Sequence, residues 1–444
     1  MILVVTSCEY TEIDPIGETL PNNIDALTGL LNYPYANGGF GLPMYMTPDI
    51  YVQQGVVLGF SGYDAEDYAY NFEDYFYETN ESDIGLERVS SELNYLNVIL
   101  ENIDDAEATE EEYNFVKQTA LIRRAHIYYL YLNAYCTQYT SSNASESGLG
   151  WINKYTENYD ADMTRMTLQE SYDLVIADLE SALEIDLPRQ KYSVYGSTEA
   201  ANGLLAMVYM TMGNYSDALT YCNLVLDNYN FLYDYSTMDP LTITSDLDIY
   251  KEYDDEKVIA RGAYASLSKS PWGTNNGYCS TELISLFTTD DMRSNFLYPV
   301  GVDIKWYGAR QSIYDASCSV PLLMLYKAEC LARDNQVTEA MNTVNALREK
   351  RFVSGSTYQL TAADQTEALA HIYDESRREL AFTAHSFINI RRLNALHNAN
   401  ISISRIHTES GESISLPAND LKWTLPIPRY YIDLDPELTQ NPRN

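Results

Sequence analysis

The chain has 444 residues, 45% of them hydrophobic, and a formal net charge of −36. This length calls for two lobes or one elaborated domain, and this apolar share belongs to a globular protein rather than a disordered chain or a membrane bundle. The charge repels phosphates, which excludes nucleic acid and anionic lipid as ligands and weighs, less heavily, against anionic polysaccharides; no run of 18 apolar residues offers a membrane-spanning helix.

The chain opens MILVVTSC, an apolar run ending in small residues before Cys8. Val5-Thr6-Ser7-Cys8 has the form of a bacterial lipobox, in which cleavage precedes the cysteine and its thiol carries the lipid. Seven residues are fewer than a secretory leader needs, so residues 1–7 are read as the remnant of a truncated signal peptide. Residues 8–23 are polar and contain proline, as a tether would, and residues 24–32 suggest a short helix. From residue 33 to 80 the composition turns to Gly, Asp and aromatics, which fits loops better than any regular element.

Helical periodicity then predicts helices at about 86–103, 113–137, 167–185, 198–211, 216–228, 321–333, 338–351 and 365–382. The second half of the segment 113–136 is apolar nearly all round, as in a helix buried among other helices. One spacing occurs twice. Ala206, Tyr209, Gly213, Tyr215, Ala218, Cys222 and Val225 follow the same steps as Ala328, Leu331, Asn335, Val337, Ala340, Val344 and Leu347. This small-large-turn-aromatic-small order is that of a tetratricopeptide helix hairpin, with Gly213 or Asn335 in the turn and Ser216 and Thr338 as the expected N-caps. The copies lie far apart in the chain, so no plain tandem array is expected. Between them, residues 231–319 show little helical periodicity, and so long an insertion points to function.

The catalytic inventory is thin: the chain has no GxSxG, HExxH, GxGxxG or phosphate loop. Its five histidines (126, 371, 385, 397, 407) are scattered and read as packing or surface residues. The six cysteines form no CxxC or His/Cys cluster, so no zinc is expected; Cys136, Cys222 and Cys330 fall inside helices as small hydrophobes. Asp246–Asp248 resembles the start of a calcium loop but fails at Tyr250 and Lys251. Among 64 carboxylates some glycosidase-like pair will always look suggestive, which gives hydrolysis little support. Neither a cofactor, a metal nor an enzymatic activity is expected.

Several segments, in order, resemble the SusD/RagB family of nutrient-binding outer-membrane lipoproteins of Bacteroidetes. LPIPRYYIDLDPELTQNPRN (residues 425–444) is similar to the family's C-terminal signature, and DESRRELAFTAHSFINIRRLNAL (374–396) to its Arg-rich helix and following segment. ALIRRAHIYYLYLNAYC, MTLQESYDLVIADLESAL, ANGLLAMVYMTMGNYSDALTYCNLVL and LLMLYKAECLARDNQVTEAMNTVNALREKR fall in their expected places, so the resemblance runs from Cys8 to Asn444. Thr383-Ala384, Ser376 and Arg443 depart from the family's usual Glu-Gly, Arg and Gly; these are scaffold positions and bear on local packing.

The resemblance implies a mainly α fold: four tetratricopeptide-like hairpins packed against a loop-rich, irregular lobe. On this reading residues 24–444 form one SusD-like domain, with the helical scaffold at about 86–228 and 321–396 and the ligand-binding lobe mainly at about 33–80 and 231–319. It implies a protein lipid-anchored through Cys8 at the surface of the outer membrane, touching the membrane by that anchor alone. Its partner would be a SusC-like TonB-dependent transporter, to which it delivers oligosaccharide.

No family motif marks the ligand site, so candidates follow from chemistry. A sugar ring offers a C–H face to an aromatic ring and a hydroxyl rim to amides, carboxylates and guanidinium groups. Forty tyrosines give the chain many such rings, most of which must serve packing. Trp272, Asn275, Asn276 and Tyr278 combine these groups within seven residues; Trp306, Tyr307 and Arg310 form a second set, and Tyr75, Tyr77 and Asn80 a third. Trp423 reads as core, and Trp151 as packing at a loop-to-helix junction. Loop packing or transporter contact would use the same residue types. The alternatives are peptide cargo in the same kind of uptake complex, a tetratricopeptide-like scaffold for protein partners, and a glycoside hydrolase.

Overall fold

The computed structural model describes residues 23–32, 41–55, 65–150, 164–238, 255–264, 277–306, 313–435 and 437–443. Cys8 and the tether, the calcium-like run at 246–248 and Trp151 lie outside them.

The helices begin with α1 (Ile24–Leu31), α2 (Ala65–Tyr70), α3 (Ile84–Asn102), α4 (Glu110–Tyr135), α5 (Leu168–Leu183), α6 (Thr198–Met212) and α7 (Tyr215–Leu226). After the insertion, which holds the short α8 (Thr281–Ile284), come α9 (Val320–Arg333), α10 (Val337–Glu349), α11 (Gln365–Leu380), α12 (Ala384–His397) and α13 (Arg429–Leu434). The helix at α2 corrects the expectation that 33–80 is loop throughout. Its alternating acidic and aromatic residues hide a single turn and a half that tertiary packing stabilises.

Local chemistry sets the helix starts. Thr109 and Thr167 each form a capping box with the glutamate three residues on, and Asp83 accepts from the backbone N–H groups of Gly85 (2.7 Å) and Leu86 (3.0 Å). The second half of α4 is buried on all sides from Leu121 to Tyr135 apart from Arg124, as its pattern predicts. Arg124 pairs with Asp178 of α5 at 2.7 Å, and Arg123 with Glu92 of α3 at 2.9 Å.

The two repeated hairpins are α6–α7 and α9–α10. Gly213 (φ +79°) and Asn335 (φ +60°) take the left-handed turn, and each turn closes with the same pair of backbone bonds. Asn214 N–H donates to Tyr209 C=O at 2.9 Å, and Gln336 N–H to Leu331 C=O at 2.8 Å. The expected caps Ser216 and Thr338 lie two residues too late. The chain re-enters helix at Tyr215 and Val337, so Asn214 supplies the cap in the first hairpin and Gln336, without a side-chain capping bond, occupies its place in the second. The copies are also neighbours in space. Helix α7 packs directly on α9, so the stack α3–α4–α5–α6–α7–α9–α10/α11 is continuous although its sequence is interrupted.

The insertion is tied at its base by short antiparallel pairs: β2 (Lys257–Ile259) with β8 (Cys318–Ser319), and β3 (Gly262–Tyr264) with β7 (Ile313–Asp315). Gly203 of α6 permits this approach, because a Cβ there would lie 2.7 Å from Cys318 Sγ. The outgoing and returning strands thus sit on the helix stack. An ion-pair hub locks them further. Arg293 donates to Asp291 (2.8 Å), Glu375 (2.7 Å) and Glu379 (2.7 Å), and Arg351 to Glu379 (2.8 Å), Glu256 (2.9 Å) and the Tyr233 carbonyl (2.9 Å). Arg348 and Arg378 reach Glu375 from α10 and α11.

Candidate functional site

The loop-rich lobe is organised around two further strand pairs. β1 (Ile50–Val52) pairs with β4 (Gly277–Cys279), placing Tyr51 opposite Tyr278, and β5 (Leu297–Val300) turns back as β6 (Asp303–Trp306) through Gly301 at φ +65°. β4 packs beside β6. The burial of β1 alternates, with Ile50 and Val52 inward and Tyr51 41% exposed. Tyr278 is largely covered, and its ring lies 6.4 Å from that of Tyr51. Burial, with Asp303 and Tyr51 adding to it, raises the Tyr278 hydroxyl above its usual pKa. The Gln53 amide donates to Asp303, linking the end of β1 to the start of β6. One exposed ring, a supporting ring, an amide and a carboxylate therefore meet at this edge.

Of the sequence candidates near it, Trp272, Asn275 and Asn276 lie in the stretch immediately before β4, outside the described residues. Tyr307 and Arg310, which follow β6, also lie outside them. Trp306 is described in its backbone alone, opposite Leu297 in the β5–β6 register. The neighbouring strands nonetheless fix where the two stretches attach, the first at Gly277 of β4 and the second at Trp306 of β6.

The third candidate set has a different setting. Tyr75, Tyr77, Phe76, Glu78 and Thr79, with Tyr68 of α2, form one wall of a cleft of about 640 Å³. The opposite wall is Pro426, Ile427, Pro428, Arg429, Ile432, Asp433 and Gln440. Tyr75 is 58% exposed, whereas Tyr77 is half-buried and donates its hydroxyl to Asp83, the α3 cap. Burial and then the Asp83 carboxylate push the Tyr77 hydroxyl well above its usual pKa. Tyr135 of α4 donates to the same carboxylate at 2.7 Å. Tyr77 is thus the anchor of this loop, and Tyr75 its free ring; Asn80 is exposed beside them.

The far wall is fixed by Gln440, which accepts from Ile427 N–H (2.9 Å) and donates to Ile427 C=O (2.7 Å), and by Asn441, which donates to the carbonyls of Tyr135 and Leu425 at 2.7 Å each. Sequence reasoning took Leu425–Pro428 as a signature and not as a wall. The signal available was the Pro-Ile-Pro run itself, which holds the backbone extended and leaves its side chains to form a surface. Tyr51 was also missed as a candidate, although the Ile-Tyr-Val alternation carries it.

The hairpin of β9 (Ile403–Ile406) and β10 (Ser413–Leu416) braces both patches. Arg405 donates to the carbonyls of Tyr45 (2.8 Å), Tyr70 (3.1 Å) and Thr47 (3.0 Å) and lies over the rings of Tyr70 and Phe72. Burial lowers its pKa to about 10, which leaves it charged at neutral pH. Thr408 bonds to Asn71 and, through its carbonyl, to Gly55 beyond β1. Both exposed rings stand on one rigid platform. The other candidates for packing behave so: Trp423 is buried and donates to the Pro417 carbonyl at 2.7 Å, and Cys136, Cys222 and Cys330 are buried free thiols. His126 and His385 are buried and bond to the carbonyls of Ala316 and Ser317. Among the described residues no group of His, Cys, Asp and Glu has the arrangement of a metal site, and no helix is long and apolar enough to cross a membrane.

Residues 78–210 match the family model described as starch-binding, associating with the outer membrane, and residues 323–443 match that of the SusD family. No curated protein sequence matches the chain. Solved structures with the same fold include a SusD superfamily protein from Bacteroides thetaiotaomicron, 18% identical, with a TM-score of 0.73 over 95% of this chain and 100% of that one. A SusD-like carbohydrate binding protein from Bacteroides vulgatus is 19% identical, with a TM-score of 0.63 over 89% of each chain. Surface glycan-binding protein A from Bacteroides uniformis is 16% identical, with a TM-score of 0.68 over 94% of this chain and 99% of that one. The two matched segments cover both halves of the helix stack and the brace behind the aromatic patches, and with the shared fold they place the chain in the SusD/RagB family.

Proposed function

We propose that this protein captures oligosaccharides at the cell surface and passes them to a SusC-like TonB-dependent transporter in the outer membrane. The observation that carries the reading is the pair of exposed rings, Tyr51 and Tyr75, held on one braced platform beside amide, carboxylate and guanidinium groups. A ring face flanked by such a rim suits a sugar. The structural relatives named for carbohydrate and glycan binding support the same ligand class. The chemistry is non-covalent, and attachment is through a lipid on Cys8, a lipoprotein cysteine carrying enough acyl chain for stable anchoring.

In this reading Trp272 and Trp306 complete the binding face from the loops beside β4 and β6, with Asn275, Asn276, Tyr307 and Arg310 on its rim. The test is affinity gel electrophoresis of the protein starting after Cys8 against neutral and acidic polysaccharides, with Trp272→Ala and Trp306→Ala alongside. Retardation by one glycan, lost in either variant with its circular dichroism unchanged, supports capture at this face. Migration unaffected by every glycan overturns the carbohydrate reading in favour of peptide cargo.

A further inference from the structure

A second cavity lies in the helix stack, between α9, α11 and α12. It has a volume of about 180 Å³ and belongs to neither aromatic patch. Tyr326, Ile390 and Leu393 give it apolar walls, and Tyr373, Asn389 and Arg392 give it polar ones. Its mouth is flanked by half-buried Arg377, which pairs with Asp49 at 2.7 Å.

The polar groups are unevenly matched. Glu329, the one carboxylate lining the cavity among the described residues, is engaged by two guanidinium groups: Arg392 donates to it at 2.8 and 2.6 Å, and Arg333 at 2.8 Å. Donors remain over. Arg392 is 1% exposed, yet its Nε has no hydrogen-bond partner. The Asn389 side chain accepts long contacts through its oxygen from Tyr326 (3.4 Å) and Arg392 (3.5 Å), while its amide nitrogen donates to nothing among the described residues. Tyr373 accepts from Arg333 at 2.7 Å, which leaves its own proton to give. Charge runs the same way: three guanidinium groups, of Arg333, Arg377 and Arg392, face two carboxylates, Glu329 and Asp49. Nearby His397 stays neutral, since burial and then Arg333 and Arg392 lower its pKa to about 4. In a chain of net charge −36 this is a local excess of positive charge around the cavity.

A buried donor without an acceptor is costly, and a ligand that supplies acceptors recovers that cost. Size sets the rest, since an apolar cavity of about 150 Å³ holds a benzene ring. We infer that this cavity binds a small carboxylate bearing one six-membered ring. The ring packs on Tyr326, Ile390 and Leu393, and the carboxylate accepts from Asn389, Tyr373 and Arg392. Both an aromatic acid and a sugar acid have this chemistry. The site does not depend on the glycan-capture reading, because the groups assigned to the ligand all lie on α9, α11 and α12 and neither Tyr51 nor Tyr75 lines it.

The test is isothermal titration of the whole protein with benzoate and with D-glucuronate, using benzyl alcohol and D-glucose as neutral counterparts. One-to-one binding of at least one carboxylate, at least tenfold tighter than its neutral counterpart, is expected. Binding of benzoate alone identifies aromatic acids as the source, and of D-glucuronate alone sugar acids. Asn389→Leu and Tyr373→Phe should each weaken binding about tenfold or more, as expected for loss of a hydrogen bond to a charged group. Tyr373→Phe removes a single oxygen and remains informative if Asn389→Leu does not fold. Absence of binding by both carboxylates, equal binding of the neutral compounds, or unchanged affinity in the folded variants would overturn the inference.

Discussion

The hub around Glu375 and the platform that carries Tyr51 and Tyr75 use polar groups in opposite ways. At the hub, four arginines converge on Glu375 and Glu379, both carboxylates are shielded from solvent, and the contacts from Arg293, Arg348 and Arg351 to these two carboxylates join one part of the fold to another. Nothing there is left to bind a ligand. On the platform, the covered groups are equally committed, with Asp83 gathering two hydroxyls and two N–H groups, but the rings they support face outwards. The difference separates residues that hold the lobe in place from residues free to recognise something, and it follows from where hydrogen-bonding capacity has already been used.

The sharpest way to break the hub is Glu375→Gln. Arg293, Arg348 and Arg378 would each lose a charged partner at a buried site, and breaking such a network by removing one member costs about 3–5 kcal/mol. Urea denaturation should show that loss. Acid should reproduce it in the unaltered protein. Burial on its own would raise the Glu375 pKa, but Arg293, Arg378 and Arg348 overcome that and bring it down from 4.5 to about 2. A carboxylate lowered in this way contributes stability that is complete above its unfolded pKa and lost as pH falls. The loss should therefore run from about pH 4.5 towards 2 and amount to about 3 kcal/mol. His385, lowered by burial from 6.5 to about 4, destabilises the fold on acidification in a higher window, between about pH 6.5 and 4, because the unfolded chain takes up the proton first. A stability curve of Glu375→Gln that still falls as steeply below pH 4.5 would show that the hub is not the source.

Asp83 joins the two kinds of region, so its effect should be intermediate. Asp83→Ala removes the α3 cap and the acceptor for both Tyr77 and Tyr135, at a combined cost of about 2–3 kcal/mol. Asp83→Asn keeps a capping oxygen and should cost roughly half as much. If alanine and asparagine were equally damaging in urea denaturation, the charge and not the cap would govern the loop.

The same division explains what could be read from the chain beforehand. The helix hairpins were legible because their signals are local: small residues at the crossing, a left-handed turn residue, and an apolar stripe repeat within two helices. That α7 packs on α9 was not legible, since the contact spans the insertion and no local pattern encodes it. The caps at Ser216 and Thr338 were placed two residues too late, because the turns are shorter than assigned and Asn214 and Gln336 hold the cap positions. In the lobe, aromatic content pointed to the right segments but could not distinguish Tyr77 from Tyr75. Their difference arises from Asp83, six residues on from Tyr77 and committed by the α3 backbone to face it. Tyr51 and the wall at Pro426–Arg429 acquire meaning through partners more than two hundred residues away, Tyr278 and Tyr75.

The smallest effect on stability, and the one that sharpens the comparison most, belongs to the exposed rings. Tyr51→Ala and Tyr75→Ala remove side chains that are 41% and 58% exposed and that lie outside the hub, so each should change unfolding free energy by no more than about 0.5 kcal/mol. Their consequence should appear in ligand retention instead, where truncating a central aromatic anchor costs about 1–2 kcal/mol, or roughly 5–30-fold in affinity. The two rings also discriminate between sites. If glycan lies along β1 and β4, Tyr51→Ala weakens it and Tyr75→Ala does not; if it fills the cleft against Pro426–Arg429, the order reverses. Weakening by both would mean one extended chain crossing the platform, with the β9–β10 hairpin as the brace that keeps its two contact points in register.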